Sequence, residues 1–162
     1  MRMIKITALV SLAIAAGCGT VRGSSNGDSV TTTVSLSRPQ ALEIARTQLM
    51  HHGFTVTGAG SDVLVTSPKA VPEYLREAST AKPTTQKWFL VVQGSDVRFF
   101  RGTRLRVTGY LLPSGAGQAT SVANGKRLEQ SAIPITEQNV RLFREVQVAT
   151  NWIIAESNRK KR

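Results

Sequence analysis

Cysteine is almost missing from this chain. Cys18 is the only one among 162 residues, so no disulfide can close within the chain. Histidine is nearly as scarce, and its two copies, His51 and His52, are neighbours. Successive helix residues point about 100° apart, so this pair cannot chelate one metal as an i,i+4 pair could. With no second cysteine to act as ligand, neither a metal nor a cofactor is expected. Acidic residues are outnumbered, 10 against 21 Lys and Arg, which leaves a net charge of +11. They are also scattered. Glu73 and Glu77 stand four apart, but Arg76 lies between them and prolines flank the segment, a pattern of surface charges rather than a catalytic pair. No serine sits in a nucleophile-elbow context. The pairs Gly58/Gly60 and Gly115/Gly117 lack the strand-to-helix setting of a phosphate loop. The residues therefore point to a protein that is not an enzyme. Beyond residue 17 no apolar run approaches the roughly 20 residues of a membrane-spanning helix.

What is present begins with a zoned leader. Arg2 and Lys5 form a positive start, Ile6 to Ala16 is apolar apart from Thr7 and Ser11, and the small residues Ala15, Ala16 and Gly17 precede Cys18. This is the layout of a secretory signal peptide over residues 1–17. The stretch Ala15-Ala16-Gly17-Cys18 resembles the lipobox of bacterial lipoproteins, with Ala15 standing where a large aliphatic residue is usual. The resemblance covers the first 20 residues. It implies cleavage before Cys18, a diacylglyceryl group on that thiol, and an envelope location with the membrane as a partner. Gly19, rather than Asp, follows the cysteine, which under the family's sorting pattern implies an outer membrane, facing the periplasm, if the cell has two membranes. Residues 18–29 then read as the lipidated cysteine and a flexible Gly/Ser-rich tether. Loss of Arg2 and Lys5 still leaves the mature chain strongly basic. Such a balance favours phospholipid head groups, anionic glycans or nucleic acid, and export makes nucleic acid an unsuitable partner.

Residues 30–157 read as a single α+β domain. Val30, Thr32, Val34 and Leu36 alternate with Thr31, Thr33 and Ser35, the period of a half-buried strand. Ser37-Arg-Pro-Gln40 carries a capping-box pattern with proline in the first turn. Leu42, Ala45 and Leu49, with Ala41 and Ile44 beside them, make one apolar stripe that Gly53 closes. Strands are predicted at 54–57 and 63–66 around the loop 58–62, with a short helical turn near 73–78. Residues 87–93, almost wholly apolar or aromatic, predict a central strand. A turn at Gly94-Ser95-Asp96, strands at 97–100 and 104–112, a loop at 113–125 and an edge strand at 126–133 follow. The second helix is expected over 135–157, capped by Thr136, with Leu142, Val146, Ala149 and Ile153 on its buried face. Residues 158–162 form a basic tail. The order β-α-β-β-β-β-β-α predicts an antiparallel sheet of about five or six strands with two helices on one face. Trp88 or Phe89, together with Leu90, should lie beneath them.

Arginine is the most informative polar residue. Arg98, Arg104 and Arg106 share parity, while Val97, Phe99, Leu105 and Val107 hold the other. With a three-residue loop or a bulge at Gly102, all three guanidiniums would share the solvent face with Tyr110 in line. They would form a candidate site for carboxylate or phosphate. The function expected is a membrane-anchored envelope lipoprotein whose domain engages a protein or an anionic envelope polymer. The alternative is a carrier or sensor of a small apolar or amphipathic ligand held between the sheet and the C-terminal helix.

Overall fold

Eight strands and two long helices order the residues that the computed structural model describes, namely 24–25, 27–75, 86–98, 101–112 and 132–160. Strand β1 is Ser24–Ser25 and β2 is Ser29–Val34. In β2 the alternation read from the sequence is realised: Val30, Thr32 and Val34 are buried, whereas Thr33 is exposed. Helix α1, Arg38–His51, starts where the capping residues place it. The Gln40 side-chain oxygen accepts hydrogen bonds from the Ser37 N–H at 3.3 Å and the Ser37 hydroxyl at 2.9 Å. The helix stops at Gly53, whose φ of 78° only glycine adopts without strain.

Strands β3 (Val56–Ala59), β4 (Val63–Thr66), β5 (Lys69–Ala70), β6 (Lys87–Asp96), β7 (Thr103–Leu112) and β8 (Ile133–Pro134) follow, with a 3-10 turn at Glu73–Leu75. Helix α2 is Val140–Arg159. All strand pairs are antiparallel, in the order β1-β2-β7-β6-β4-β3. Short β5 continues along β6 beside β4, and short β8 continues along β7 beside β2. The sheet is thus six positions wide. Both helices cover one face: their buried residues join Val30, Val34, Leu64, Trp88, Leu90, Val92, Leu105 and Val107 in one core. The α+β class, the antiparallel sheet and the one-sided helix pair are therefore as the sequence predicts.

The other, outer face is divided. Toward Lys87 and Leu112 it carries a second apolar cluster of Phe89, Val65 and Val91, against which Val63, Tyr110, Leu112 and Ala132 pack. Phe89 and Tyr110 stack with ring centroids 5.3 Å apart. Of the two aromatic candidates for the helix-facing core, Trp88 takes that place and Phe89 lies on the opposite face. Toward Thr103 the outer face is polar, with Thr31, Thr33, Gln93, Ser95, Arg104 and Arg106 side by side in register.

Several predicted boundaries move, each for a local reason. Ser24 and Ser25 pair with Thr31 and Val30, so these two residues of the expected tether, with Ser29 at the start of β2, belong to the sheet. Gly94-Ser95-Asp96 is not a turn; β6 runs through it to Asp96. Gly94 is buried there because α1 passes over it: a Cβ would lie 3.2 Å from Arg38 Cγ and 3.4 Å from Leu42. Glycine inside a strand marks this close approach. Val97 and Arg98 consequently fall in the connection between β6 and β7 rather than in a strand, and residues 99–100 lie outside the described residues. Helix α2 begins at Val140 with Asn139 as its cap, not at Ile135 with Thr136. The Ile135 N–H instead donates to the Gly109 carbonyl at 2.8 Å, which keeps Ile135 on the sheet. At the other end α2 runs on to Arg159, which pairs with Glu156 at 2.7 Å, so the tail begins later than expected. The loop at 113–125 and nearly all of the strand expected at 126–133 lie outside the described residues.

At Gly109 the sheet and α2 come into close contact. A Cβ there would stand 2.7 Å from Val146 Cγ2 and 3.0 Å from Ile135 Cδ1. Gly109→Ala is therefore expected to destabilise the protein by about 1–3 kcal/mol through overpacking. Urea unfolding checks this; an unchanged midpoint would show that α2 can draw back without cost.

Candidate anion-binding face

Strand β7 presents its side chains alternately to the helices and to the outer face. Leu105 and Val107 are buried against the helices, and Arg104 and Arg106 project from the outer face, as their parity predicts. Arg104 lies between Thr33 of β2 and Ser95 of β6; Arg106 lies between Thr31 and Gln93.

Arg106 is already engaged. Its Nη2 donates to both carboxylate oxygens of Asp28, at 3.2 and 3.3 Å, and its Nε donates to Ser29 Oγ at 3.0 Å. An incoming anion would have to compete with Asp28. Arg98 does not join the two. The extension of β6 to Asp96 shifts the connection to residues 97–102, with the Val97 N–H donating to the Gly102 carbonyl at 3.1 Å. Three co-facial strand arginines therefore become two, one of them neutralised, and Arg98 stands at the tip of the hairpin. Tyr110 shares the outer face but spends its ring on Phe89. Arg101 is exposed at the same tip. Strand parity gives no signal for it, because it lies in the connection before β7.

The tip is held in place. Thr103 Oγ1 donates to the Leu36 carbonyl at 2.8 Å, and a Cβ on Gly102 would come within 2.7 Å of the Val34 carbonyl oxygen. Arg38, at the start of α1, reaches Asp96 at 3.7 Å. Among the described residues Arg98, Arg101 and Arg104 take part in no ion pair.

A second polar feature lies between the layers. Residues 66–68 stand opposite only Phe89 and Leu90, because Val65 pairs with Val91 and Lys69 with Trp88. The Leu90 N–H donates to Thr66 Oγ1 at 2.9 Å across this bulge. The extra residue turns Lys69 to the helix side. Its ammonium lies 3.4 Å from the Phe54 ring centroid and 5.1 Å from that of Trp88. Such contacts contribute about 0.5–2 kcal/mol. Desolvation pushes Lys69 below the ordinary lysine value of 10.5, with the Glu145 carboxylate opposing the shift. A lowered pKa means that the folded state binds fewer protons than the unfolded one between the lowered value and 10.5. Stability relative to Lys69→Met should therefore rise with pH through that window. Urea midpoints of both proteins at about pH 7 and about pH 10 test this; a difference that does not move toward the native protein at the higher pH would mean a solvated ammonium.

His51 and His52 end α1, as expected, and His52 stacks on Trp152 at 3.6 Å between centroids. Among the described residues no three His, Cys, Asp or Glu side chains gather as a metal-binding group. Cys18 lies outside the described residues.

The geometry defines a two-layer α+β domain with a basic hairpin tip and a polar outer sheet face. In comparisons with known proteins, the chain matches no family model and no curated protein.

Proposed function

We propose that the chain is a non-enzymatic, membrane-anchored envelope lipoprotein whose domain engages a protein or an anionic envelope polymer through its polar outer face. The observation that carries this reading is the leader: a positive start, an apolar run and small residues that end at the chain's only cysteine, six residues ahead of the first strand. The outer face supports the second half of the reading. Thr33, Gln93 and Ser95 are exposed in the two strands that flank β7, which offers hydrogen-bonding groups on a rigid surface. The carrier alternative is less well supported, because at Gly109 the layers it would have to part already touch.

Two measurements test the proposal. Mass spectrometry of the protein extracted from membranes should find Cys18 as the first residue, carrying a diacylglyceryl group; a mature terminus elsewhere overturns the anchor. A photo-crosslinking side chain at Thr33 or Ser95 should form an adduct with an envelope component, while one at Arg144, exposed on α2, should not. Absence of adducts from the outer face overturns its role.

A further inference from the structure

The direction of β1 bears on how the domain stands on its membrane. As β1 runs from Ser25 back to Ser24, its partners in β2 advance from Val30 to Thr31. Followed upstream, β1 itself therefore points toward Val34, which pairs with Thr103 at the base of the β6–β7 hairpin connection. That end of the sheet carries Arg98, Arg101 and Arg104, all exposed, and Arg38, which shares Asp96. Asp62 is a second acid at this end, its backbone carbonyl accepting the Gly94 N–H. Among the described residues, Arg38, Arg98, Arg101 and Arg104 thus outnumber Asp62 and Asp96 at the end of the sheet toward which β1 points upstream.

We propose that this basic pole is the membrane-facing end of the domain, with Arg98, Arg101 and Arg104 seated on the phosphates of anionic phospholipids. The proposal rests on the reading of Cys18 as the lipid anchor. Chain length agrees with it. Ser24 lies six residue steps after Cys18, and a chain reaches at most about 3.5 Å per step, or about 20 Å here. Along the sheet, Val34 lies three residue steps from Thr31, about 10 Å, so the anchor can project up to about 10 Å past Val34. In the opposite direction, Leu112 lies six residue steps from Arg106, the partner of Thr31. That is about 20 Å, which the leash could match only by reversing at once and extending fully. The short leash and the charge therefore select the same end. With the pole down, the sheet stands upright on the bilayer and its outer face is open to the side. Arginine suits the role because its planar fork binds phosphate oxygens bidentately.

The test uses the lipidated protein, extracted from membranes and reconstituted in vesicles of phosphatidylcholine alone or with about one third phosphatidylglycerol. Arginines are modified with hydroxyphenylglyoxal and read by peptide mass spectrometry. One basic residue near an anionic surface shifts a local equilibrium about fivefold. Modification of Arg98, Arg101 and Arg104 should therefore slow at least that much on the anionic vesicles. The effect should be lost in high salt, while Arg46 and Arg144 on the helices react alike on both. Equal rates at the pole on both vesicle types overturn the inference while leaving the anchor intact. Protection of Arg46 and Arg144 instead overturns the orientation. Equal protection on neutral vesicles with soluble polyglutamate added assigns the pole to a polymer and overturns the lipid contact. Protein that fails to pellet with either vesicle type overturns the anchor and this inference with it.

Discussion

Ile153→Ala is expected to destabilise the domain by about 2–5 kcal/mol. Ile153 lies in α2 and is fully buried in the core that both helices share with the sheet. Truncation removes three carbons and leaves a cavity among neighbours that are themselves held in regular structure, so little relaxation can fill it. Leu142→Ala, nearer the start of α2 and 5% exposed, should fall at the lower end of the same range. Against a total stability of about 5–15 kcal/mol for a domain, either loss is large. Urea unfolding at a fixed temperature provides the comparison. Wild-type-like midpoints for both variants would mean that α2 does not pack on the sheet.

This core was legible because its residues obey one period at a time. Alternation at Val30, Thr32 and Val34 matches a pleated strand, and Leu142, Val146, Ala149 and Ile153 match a helical stripe; each is buried as its pattern predicts. What escaped were places where a glycine or a proline has a tertiary reason. Gly94 reads as a turn beside Ser95 and Asp96, yet it is a strand residue that makes room for Arg38 and Leu42. Nothing within the segment 94–96 distinguishes the two, because the cause lies in α1, about 50 residues away. Ile135 has the look of a first helical residue, yet Gly109 leaves a space that Ile135 fills and a carbonyl that its N–H takes.

The candidate site inherited that single error. With Gly94–Asp96 taken as a turn, Arg98 entered a strand and parity aligned it with Arg104 and Arg106. With β6 extended, the same arginine moves to the hairpin tip and gains Arg101 as a neighbour. The parity of Arg104 and Arg106 survives because both lie within β7, whose alternation with Leu105 and Val107 is clear. The ion pair of Arg106 with Asp28 was not legible, since Asp28 lay in what reads as a tether. Lys69 was missed for a related reason: Pro68 ends β4, and a two-residue strand leaves no alternation to show that its side chain turns inward.

Cys18→Ser should release the domain from the membrane fraction entirely. Serine keeps the shape of the position but offers no thiol for the thioether through which the proposed diacylglyceryl group would be attached. Each methylene of an acyl chain in the bilayer contributes about 0.8 kcal/mol, and one chain holds a protein only marginally while two hold it firmly. Loss of both therefore removes nearly all of the attachment. No helix among the described residues is long and apolar enough to substitute by crossing the bilayer. The variant is best exported behind an ordinary cleavable leader, so that an uncut apolar run at 6–16 does not stand in for the lipid. A high-salt wash then separates the two proposed modes of attachment, because salt would screen contacts made by Arg98, Arg101 and Arg104 and would leave acyl chains in place. The native protein should stay in the pellet through the wash, and the serine variant should appear in the soluble fraction even before it. A serine variant that still pelleted after the wash would mean that the domain is held by something other than lipid on Cys18.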